Sequence, residues 1–412
     1  MIECDALRHI PTLCVGYGVR RAFLVGDVHT FPLAGVQIRD MLFRIGVESV
    51  VYQFPQTTLE PDEVAVGSLI LHYDPSCDII IGIGSGVIND LCKLLANLTN
   101  RPFIIVATAP SMDGYASPLS SMVRDGLKVS IPTKKADHIV ADLDILRNAP
   151  LPMLKAGLGD MLAKYVSICE WRLGALITGE AYDSGIADSV RNALRKCVDH
   201  ADGLLHREDE AIRAVFEGLV LTGEAMEKAG CSRPASGAEH YFSHLWDMRG
   251  LEFGTPTDLH GIQCAAATRI CVKLYHRLKD IRPDREKALQ YVRAFDPDNW
   301  NKSLRQFLGQ AAEPLIELEK REGKYNLQKH GERLRVIIAR YDDILAVIDE
   351  ELPSLEMLDA LYQMLNLPTE PPEDGILKMT VKVGKDIRDK YVLPRLLWDL
   401  GVLDEFCDKI GD

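Results

Sequence analysis

Along the first 150 residues, short apolar runs alternate with stretches in which apolar side chains recur every three or four positions. Four runs, Ala22-Phe-Leu-Val-Gly26, Glu48-Ser-Val-Val-Tyr-Gln-Phe54, Asp78-Ile-Ile-Ile-Gly82 and Phe103-Ile-Ile-Val-Ala107, are rich in aliphatic, β-branched and aromatic residues. Each predicts a buried parallel strand. Between them, residues 36–45 and 87–98 carry the spacing of amphipathic helices. This alternation predicts an open parallel sheet with helices on both faces.

The pattern changes at Asn148-Ala-Pro-Leu-Pro-Met153, where two prolines in three residues break any regular element. Beyond it the spacing is helical over residues 154–173, 189–206, 213–229, 259–278, 341–352 and 354–365, with Pro353 separating the last two. The expected organisation is an α/β domain over residues 1–150 and an all-α domain over residues 151–412. A chain of 412 residues is too long for one compact core and suits two domains.

Composition narrows the partners. The formal net charge of −13, with no Lys/Arg run, argues against nucleic acid and anionic membranes. It leaves room for a small anionic substrate in a locally basic pocket. No apolar run approaches the roughly 18 residues of a membrane span, and the N-terminus has no signal-peptide pattern. The ten cysteines include no CxxC pair. They read as free thiols in a reducing cytosol, and a zinc–thiolate site is not expected from their spacing.

Three loops fall where ligands bind in such a fold, at the carboxyl ends of the strands. Gly82-Ile-Gly-Ser-Gly-Val-Ile-Asn-Asp90 runs from the third predicted strand into a helix. Its glycines and the helix N-terminus suit a pyrophosphate, although a tight βα turn would need the same glycines. Asp27 ends the first predicted strand. There it could accept hydrogen bonds from a ribose and repel a 2′-phosphate, or cap a turn. Thr108-Ala-Pro-Ser-Met-Asp-Gly-Tyr-Ala-Ser117 is small and rich in hydroxyls, with Asp113-Gly114 as a turn pair.

In the helical region, Asp160, His240 and His260 are polar residues in partly apolar surroundings. One carboxylate and two imidazoles would make a divalent site with open positions for a substrate. An Asp160–Lys164 helix ion pair and a helix-end His260 are equally simple readings. His240 and His244 stand at i, i+4, so both could grip one ion or have separate tasks.

Five motifs in order carry a resemblance: Gly84-Ser-Gly-Val-Ile-Asn-Asp90, Thr108-Ala-Pro-Ser-Met-Asp-Gly114, Gly157-Leu-Gly-Asp-Met-Leu-Ala-Lys164, Arg233-Pro-Ala-Ser-Gly-Ala-Glu-His-Tyr-Phe-Ser-His244 and Leu259-His-Gly261. Together the chain resembles the sn-glycerol-1-phosphate dehydrogenase family, especially its bacterial AraM-like branch. That family belongs to the iron-type alcohol dehydrogenase, glycerol dehydrogenase and dehydroquinate synthase group. The resemblance implies a Rossmann-like N-terminal domain, an all-α C-terminal domain and a cleft, in a dehydroquinate synthase-like arrangement. It implies NAD(H) or NADP(H) and one divalent ion, zinc, nickel or iron, held by Asp160, His240 and His260. Coenzyme contacts would come from Asp27, from Gly86, Val87, Ile88, Asn89 and Asp90, from Thr108, Ala109, Pro110 and Ser111, and from Ser117. Substrate contacts would come from Asp160, Asp113 and His244, with the last two also in catalytic roles. The implied reaction reduces dihydroxyacetone phosphate to glycerol 1-phosphate in a cytoplasmic homodimer serving phospholipid metabolism. A polyol or glycerol dehydrogenase, a cyclase of the same group, and a non-catalytic nucleotide-binding relative are the alternatives. Arg233, Lys128 and Lys164 are candidates for the substrate phosphate by charge alone.

Overall fold

The computed structural model describes residues 1–410. Contacts divide the chain into two compact units: Met1–Met161 with Asn192–Gly230, and Leu162–Arg191 with the chain from Cys231 on. The first unit is built on a parallel sheet of six strands. These are β1 (Ile2–Glu3), β2 (Arg21–Asp27), β3 (Glu48–Phe54), β4 (Ile79–Gly84), β5 (Phe103–Ala107) and, after the hairpin described below, β8 (His138–Asp142). Their order is β1-β8-β5-β4-β2-β3, and every pairing in this sheet is parallel. The chain therefore leaves β2 for β3 on one side and then returns to β4 on the other. That reversal opens a crevice at the carboxyl ends of β2 and β4, where ligands bind in open α/β sheets.

Burial follows position in the sheet. All residues of β4 and β5 are buried, as expected for central strands covered on both faces. The prediction of a fully buried strand at residues 48–54 is corrected: β3 is an edge strand, and only Tyr52 and Phe54 are buried in it. Its run Ser49-Val-Val51 carries β propensity without the burial, because propensity reflects pleat packing as much as depth. The intervening helices are α1 (Ile10–Gly16), α2 (Phe31–Arg44), α3 (Glu63–His72) and α4 (Gly86–Thr99). Strand β8 and the hairpin of β6 (Leu119–Arg124) and β7 (Leu127–Pro132) are additions to the predicted elements.

After β8 come α5 (Leu143–Leu146), α6 (Leu151–Leu162), α7 (Lys164–Thr178), α8 (Ser184–Asp199) and α9 (Asp209–Ala229). The predicted single helix over 154–173 is thus two, interrupted at Ala163. That residue keeps right-handed helical angles (φ −54°, ψ −26°), so the apolar period runs through the break without a sign of it. In the second unit, α10 (Ala238–Phe253) and α11 (His260–His276) are packed against each other. From Gly261 to Tyr275, α11 is buried on nearly all sides, which explains its Cys, Ala, Ile and Val content. Further helices follow, among them Pro297–Leu308, Tyr341–Glu351, Leu355–Leu365 and Leu393–Asp399. No helix among the described residues is long and apolar enough to cross a membrane.

One buried lysine holds the first unit's loop in place. Lys93 on α4 is fully buried and donates to the carbonyls of Gly114 at 3.1 Å, Ser117 at 3.4 Å and Leu119. It also pairs with Asp90 at 2.8 Å, whose carboxylate accepts from the Ser121 N–H at 3.1 Å. Burial raises the Asp90 carboxyl above its ordinary range, and the Lys93 ammonium offsets only part of that rise. Replacing Lys93 with methionine keeps the volume but strands the carbonyls and the carboxylate. Lys93→Met is expected to cost about 3–5 kcal/mol, seen as a lower unfolding midpoint in thermal melts followed by circular dichroism. A midpoint equal to that of the parent would show that the network is dispensable.

Candidate metal centre and coenzyme loops

In the first unit, β4 runs directly into α4 through Gly84-Ser85-Gly86. A Cβ on Gly84 would lie 2.6 Å from Ile88 side-chain atoms, so close packing of helix on strand demands glycine there. At Gly86 a Cβ would meet only Met112, at 3.5 Å or more. Protein packing therefore does not require glycine at the helix N-terminus itself. Val87 and Ile88 continue α4, with Ile88 buried. Asn89 donates to the Gly114 carbonyl at 3.1 Å, and Asp90 pairs with Lys93. Both side chains thus brace the neighbouring 114–121 segment.

Asp27 caps the turn into α2. Its Oδ1 accepts from the backbone N–H groups of His29 and Thr30, both at 2.8 Å. Thr108, Ala109, Pro110, Ser111 and Ser117 are all buried. Thr108 N–H donates to the Gly84 carbonyl at 3.1 Å, tying the loop after β5 to the loop after β4. The Ala109 carbonyl accepts from Tyr115 at 2.7 Å, and Ser117 Oγ accepts from Leu119 N–H at 3.2 Å. Helix α6 approaches this loop so closely that a Cβ on Gly157 would stand 1.8 Å from the Pro110 carbonyl oxygen. One turn on, fully buried Asp160 accepts from the Asp113 N–H at 2.9 Å. The first unit so brings Asp113 and Asp160 together beside residues 108–112.

The second unit gathers the histidines. The ring centroids of His240 and His260 are 5.1 Å apart, and those of His244 and His260 are 5.7 Å apart and stacked at 19°. His240 lies on the first turn of α10, His244 one turn later, and His260 opens α11. Each proposed ligand imidazole has its near nitrogen engaged. His240 Nδ1 is 2.8 Å from Glu239 Oε1, which also accepts from the Gly237 N–H at 2.7 Å. His260 Nδ1 is 3.1 Å from Ser243 Oγ, and Gln263 donates to Ser243 Oγ at 3.1 Å and to Asp247 Oδ1 at 2.8 Å. The Glu239 carboxylate only accepts, so His240 donates from Nδ1 and its Nε2 is the lone-pair nitrogen a metal ligand needs, while the Ser243 hydroxyl can donate to or accept from His260 Nδ1.

Donor atoms of His240, His260 and Cys264 lie within 4.8 Å of one another, as do those of His244, Asp247 and His260. The chemistry of these donors fits a divalent ion. Cys264 is fully buried. Burial pushes its thiol up, but the imidazoles of His240 and His260 outweigh burial and hold it below the ordinary thiol range. All ten cysteines are free thiols, eight of them buried. Spacing between cysteines passed over Cys264. The signal that finds it is its i, i+4 relation to His260 on one helix.

A second residue absent from the sequence reading is Glu170 on α7. It is fully buried and accepts from Ala238 N–H at 2.9 Å, Leu393 N–H at 2.8 Å and the Tyr275 hydroxyl at 3.0 Å. Of the basic candidates, Lys164 is buried and donates to the Ala235 carbonyl at 3.0 Å, and Lys128 lies on β7. Arg233 lines a second-unit cavity of about 530 Å³ with Lys324, Arg333, Lys390 and Arg395. It is paired there with Glu180 at 2.5 Å.

Comparison with known proteins follows the same lines. Residues 1–150 match the family described as iron-containing alcohol dehydrogenase. Glycerol-1-phosphate dehydrogenase [NAD(P)+] of Halalkalibacterium halodurans is 33% identical over 274 residues, covering 66% of this chain and 69% of that protein. Its namesake in Thermoplasma acidophilum is 32% identical over 274 residues, covering 66% and 75%. Among solved structures, glycerol dehydrogenase from Schizosaccharomyces pombe covers 100% of this chain and 90% of its own, with TM-score 0.55 and 16% identity. The iron-containing alcohol dehydrogenase of Thermotoga maritima covers 100% and 97%, with TM-score 0.59 and 14% identity. At such identities these structures share the fold: an α/β portion with a parallel sheet followed by a helical portion.

Burial and the neighbouring Glu239 charge push the Glu170 carboxyl up to about 8. An acid raised in the folded state binds more protons there than in the unfolded chain. Its protonation supports the fold below the ordinary carboxylate range, and that support is lost as pH rises through about 8. Glu170→Gln cannot ionise. Its unfolding midpoint is expected to change less than the parent's between about pH 5 and about pH 9. Thermal melts across that range check this, and parallel curves for the two proteins would refute it.

Proposed function

The chain belongs to the glycerol-1-phosphate dehydrogenase family, and from that membership we propose that it interconverts dihydroxyacetone phosphate and sn-glycerol 1-phosphate, using NAD(H) or NADP(H) and one divalent ion. The observation that carries the reading is the pair of imidazoles, His240 and His260, whose Nδ1 atoms are held by Glu239 and Ser243. A family resting on metal-assisted chemistry needs such a pair, and a chain that had lost the chemistry would not need to hold both rings.

In this reading His240, His260 and Asp160 hold the ion. Residues 1–150 serve the coenzyme, and residues 151–412 serve the metal and substrate, joined by Asp113. When bound, the nicotinamide supplies or accepts the hydride, and the ion supplies Lewis-acid stabilisation of the oxygen that becomes an alkoxide. Gly86 and the N-terminus of α4 receive the pyrophosphate through backbone N–H groups, a role for which the open space at Gly86 is support. Thr108, Ala109, Pro110, Ser111 and Ser117 line the nicotinamide side, held in shape by Lys93. Asp27 commits Oδ1 to the α2 turn, which leaves Oδ2 for a ribose hydroxyl. His244 and Asp113 orient the substrate and hold or pass the proton that the C2 oxygen gains or loses. The same reading takes the protein as a cytoplasmic homodimer in phospholipid metabolism. Its net charge of −13 disfavours a nucleic-acid partner.

The test is reduced-coenzyme oxidation by protein reloaded separately with zinc, nickel or iron, with dihydroxyacetone phosphate compared against unphosphorylated dihydroxyacetone. The phosphorylated ketone is expected to be preferred. A preference for the unphosphorylated one would move the chain to the polyol dehydrogenases of its group. Two variants divide the histidines' roles. His240→Ala is expected to lose bound metal by elemental analysis. His244→Ala is expected to keep it while turnover falls by about 10²- to 10⁴-fold. Equal metal loss in both would overturn that division.

A further inference from the structure

We infer that Cys264 is a protein ligand to the divalent ion, adding a thiolate to the imidazoles of His240 and His260. The inference rests on the metal reading above and concerns a residue that the family resemblance does not assign. Cys264 lies one helical turn after His260 on α11, so both side chains leave the same face. Its Sγ is 3.6 Å from His260 Nε2 and 3.9 Å from Nδ1. A tetrahedral ion with a metal–sulfur bond of about 2.3 Å and a metal–nitrogen bond of about 2.0–2.1 Å sets sulfur and nitrogen roughly 3.6 Å apart. The thiol and that nitrogen therefore already stand at the separation that two ligands of one ion adopt. His240 completes the group, since the three donors share one space of 4.8 Å.

The surroundings suit a ligand better than a filler. A cysteine with only a packing role would sit among apolar atoms, as Cys14 does on α1. Cys264 instead faces two imidazoles, each fixed from behind by a carboxylate or hydroxyl. As the sulfur–metal bond forms, the thiol proton leaves to solvent and no electrons are exchanged. A thiolate beside two imidazoles favours borderline ions, zinc foremost, over magnesium or manganese, which seek oxygen.

The experiment uses the full chain, stripped with chelator and reloaded with Co(II) alone. The parent is expected to bind one Co(II) and to show the intense near-ultraviolet thiolate-to-cobalt absorption beside the visible ligand-field bands. Cys264→Ser and Cys264→Val, checked for folding by circular dichroism, are expected to lose the near-ultraviolet band. Their cobalt dissociation constants should rise by at least about 10-fold, as loss of ligand support does elsewhere. Cys231→Ser, which alters an exposed thiol, should keep the band. Stoichiometric cobalt without the band in the parent, or a band that survives in both Cys264 variants, would overturn the assignment while leaving the dehydrogenase reading intact. A parent that binds no cobalt would overturn the assignment and the metal reading together.

Discussion

The second unit is organised around one buried carboxylate. Glu170 receives the first N–H of α10 and the first N–H of the helix Leu393–Asp399, and it takes the hydroxyl of Tyr275 from α11. Helix N-termini leave backbone donors without intrahelical partners, and the oxygens of a carboxyl group accept from them. One side chain thus satisfies two helix ends that would otherwise be buried with unmet donors. A Cβ on Gly237 would stand 2.4 Å from Glu170 Oε2, so the turn before α10 is seated directly on the carboxylate. The position of His240, two residues into α10, follows from this contact. So does that of Cys264, because Tyr275 fixes the far end of α11 to the same group.

The first unit solves the converse problem with a buried cation. The loop after β5 and the start of β6 carry buried carbonyls, and Lys93 collects three of them. A hydroxyl would reach one such acceptor, whereas an ammonium has three donors. Asp90 balances the charge, and Asn89 also donates to the Gly114 carbonyl. Asn89 and Asp90, which the family resemblance implies as coenzyme contacts, also frame the loop. Asp160 reaches the same loop from α6 through the Asp113 N–H. The loop is therefore held by charge on one side and by the carboxylate of a candidate ligand on the other.

How much of this is legible in the chain depends on whether the controlling interaction is local. Ile79 to Ile83 and Phe103 to Ala107 announce central strands because burial on both faces leaves only apolar residues there. The edge position of β3 depends on which strands lie beside it, and its own residues do not carry that. The break at Ala163 leaves the helical period intact, so periodicity passes over it. The spacing of His240 and His244 shows that they share a face, and the partners on α11 decide what that face does. Glu170 is visible only as an acidic residue inside Ser167-Ile-Cys-Glu-Trp171, an apolar stretch in which a charge needs a reason. Its partners come from positions 238, 275 and 393, which no local pattern joins.

The cation-rich cavity of the second unit is best understood from the same carboxylates. Taken alone, Arg233, Lys324, Arg333, Lys390 and Arg395 around about 530 Å³ would suggest an anion site. Most of this charge is already matched: Arg233 by Glu180, Arg333 by Asp399, and Lys324 and Arg395 by Glu319. Lys390 is the exception, donating to the Ser232 and Ser236 carbonyls and to Ser236 Oγ, all neutral acceptors. Burial and nearby Arg233 push its ammonium down to about 7, while Glu239 pulls the other way. Arg233 in turn opposes the rise of Glu170. The two cations thus stand behind the two carboxylates that place α10 and orient His240. Arg233 and Lys390 are the members of the basic cluster that also act on the buried Glu170 and Glu239. Of two neighbouring buried carboxyls one keeps its proton, as Glu170 does, and Arg233 limits that push, so the basic cluster and the histidine centre are electrostatically linked.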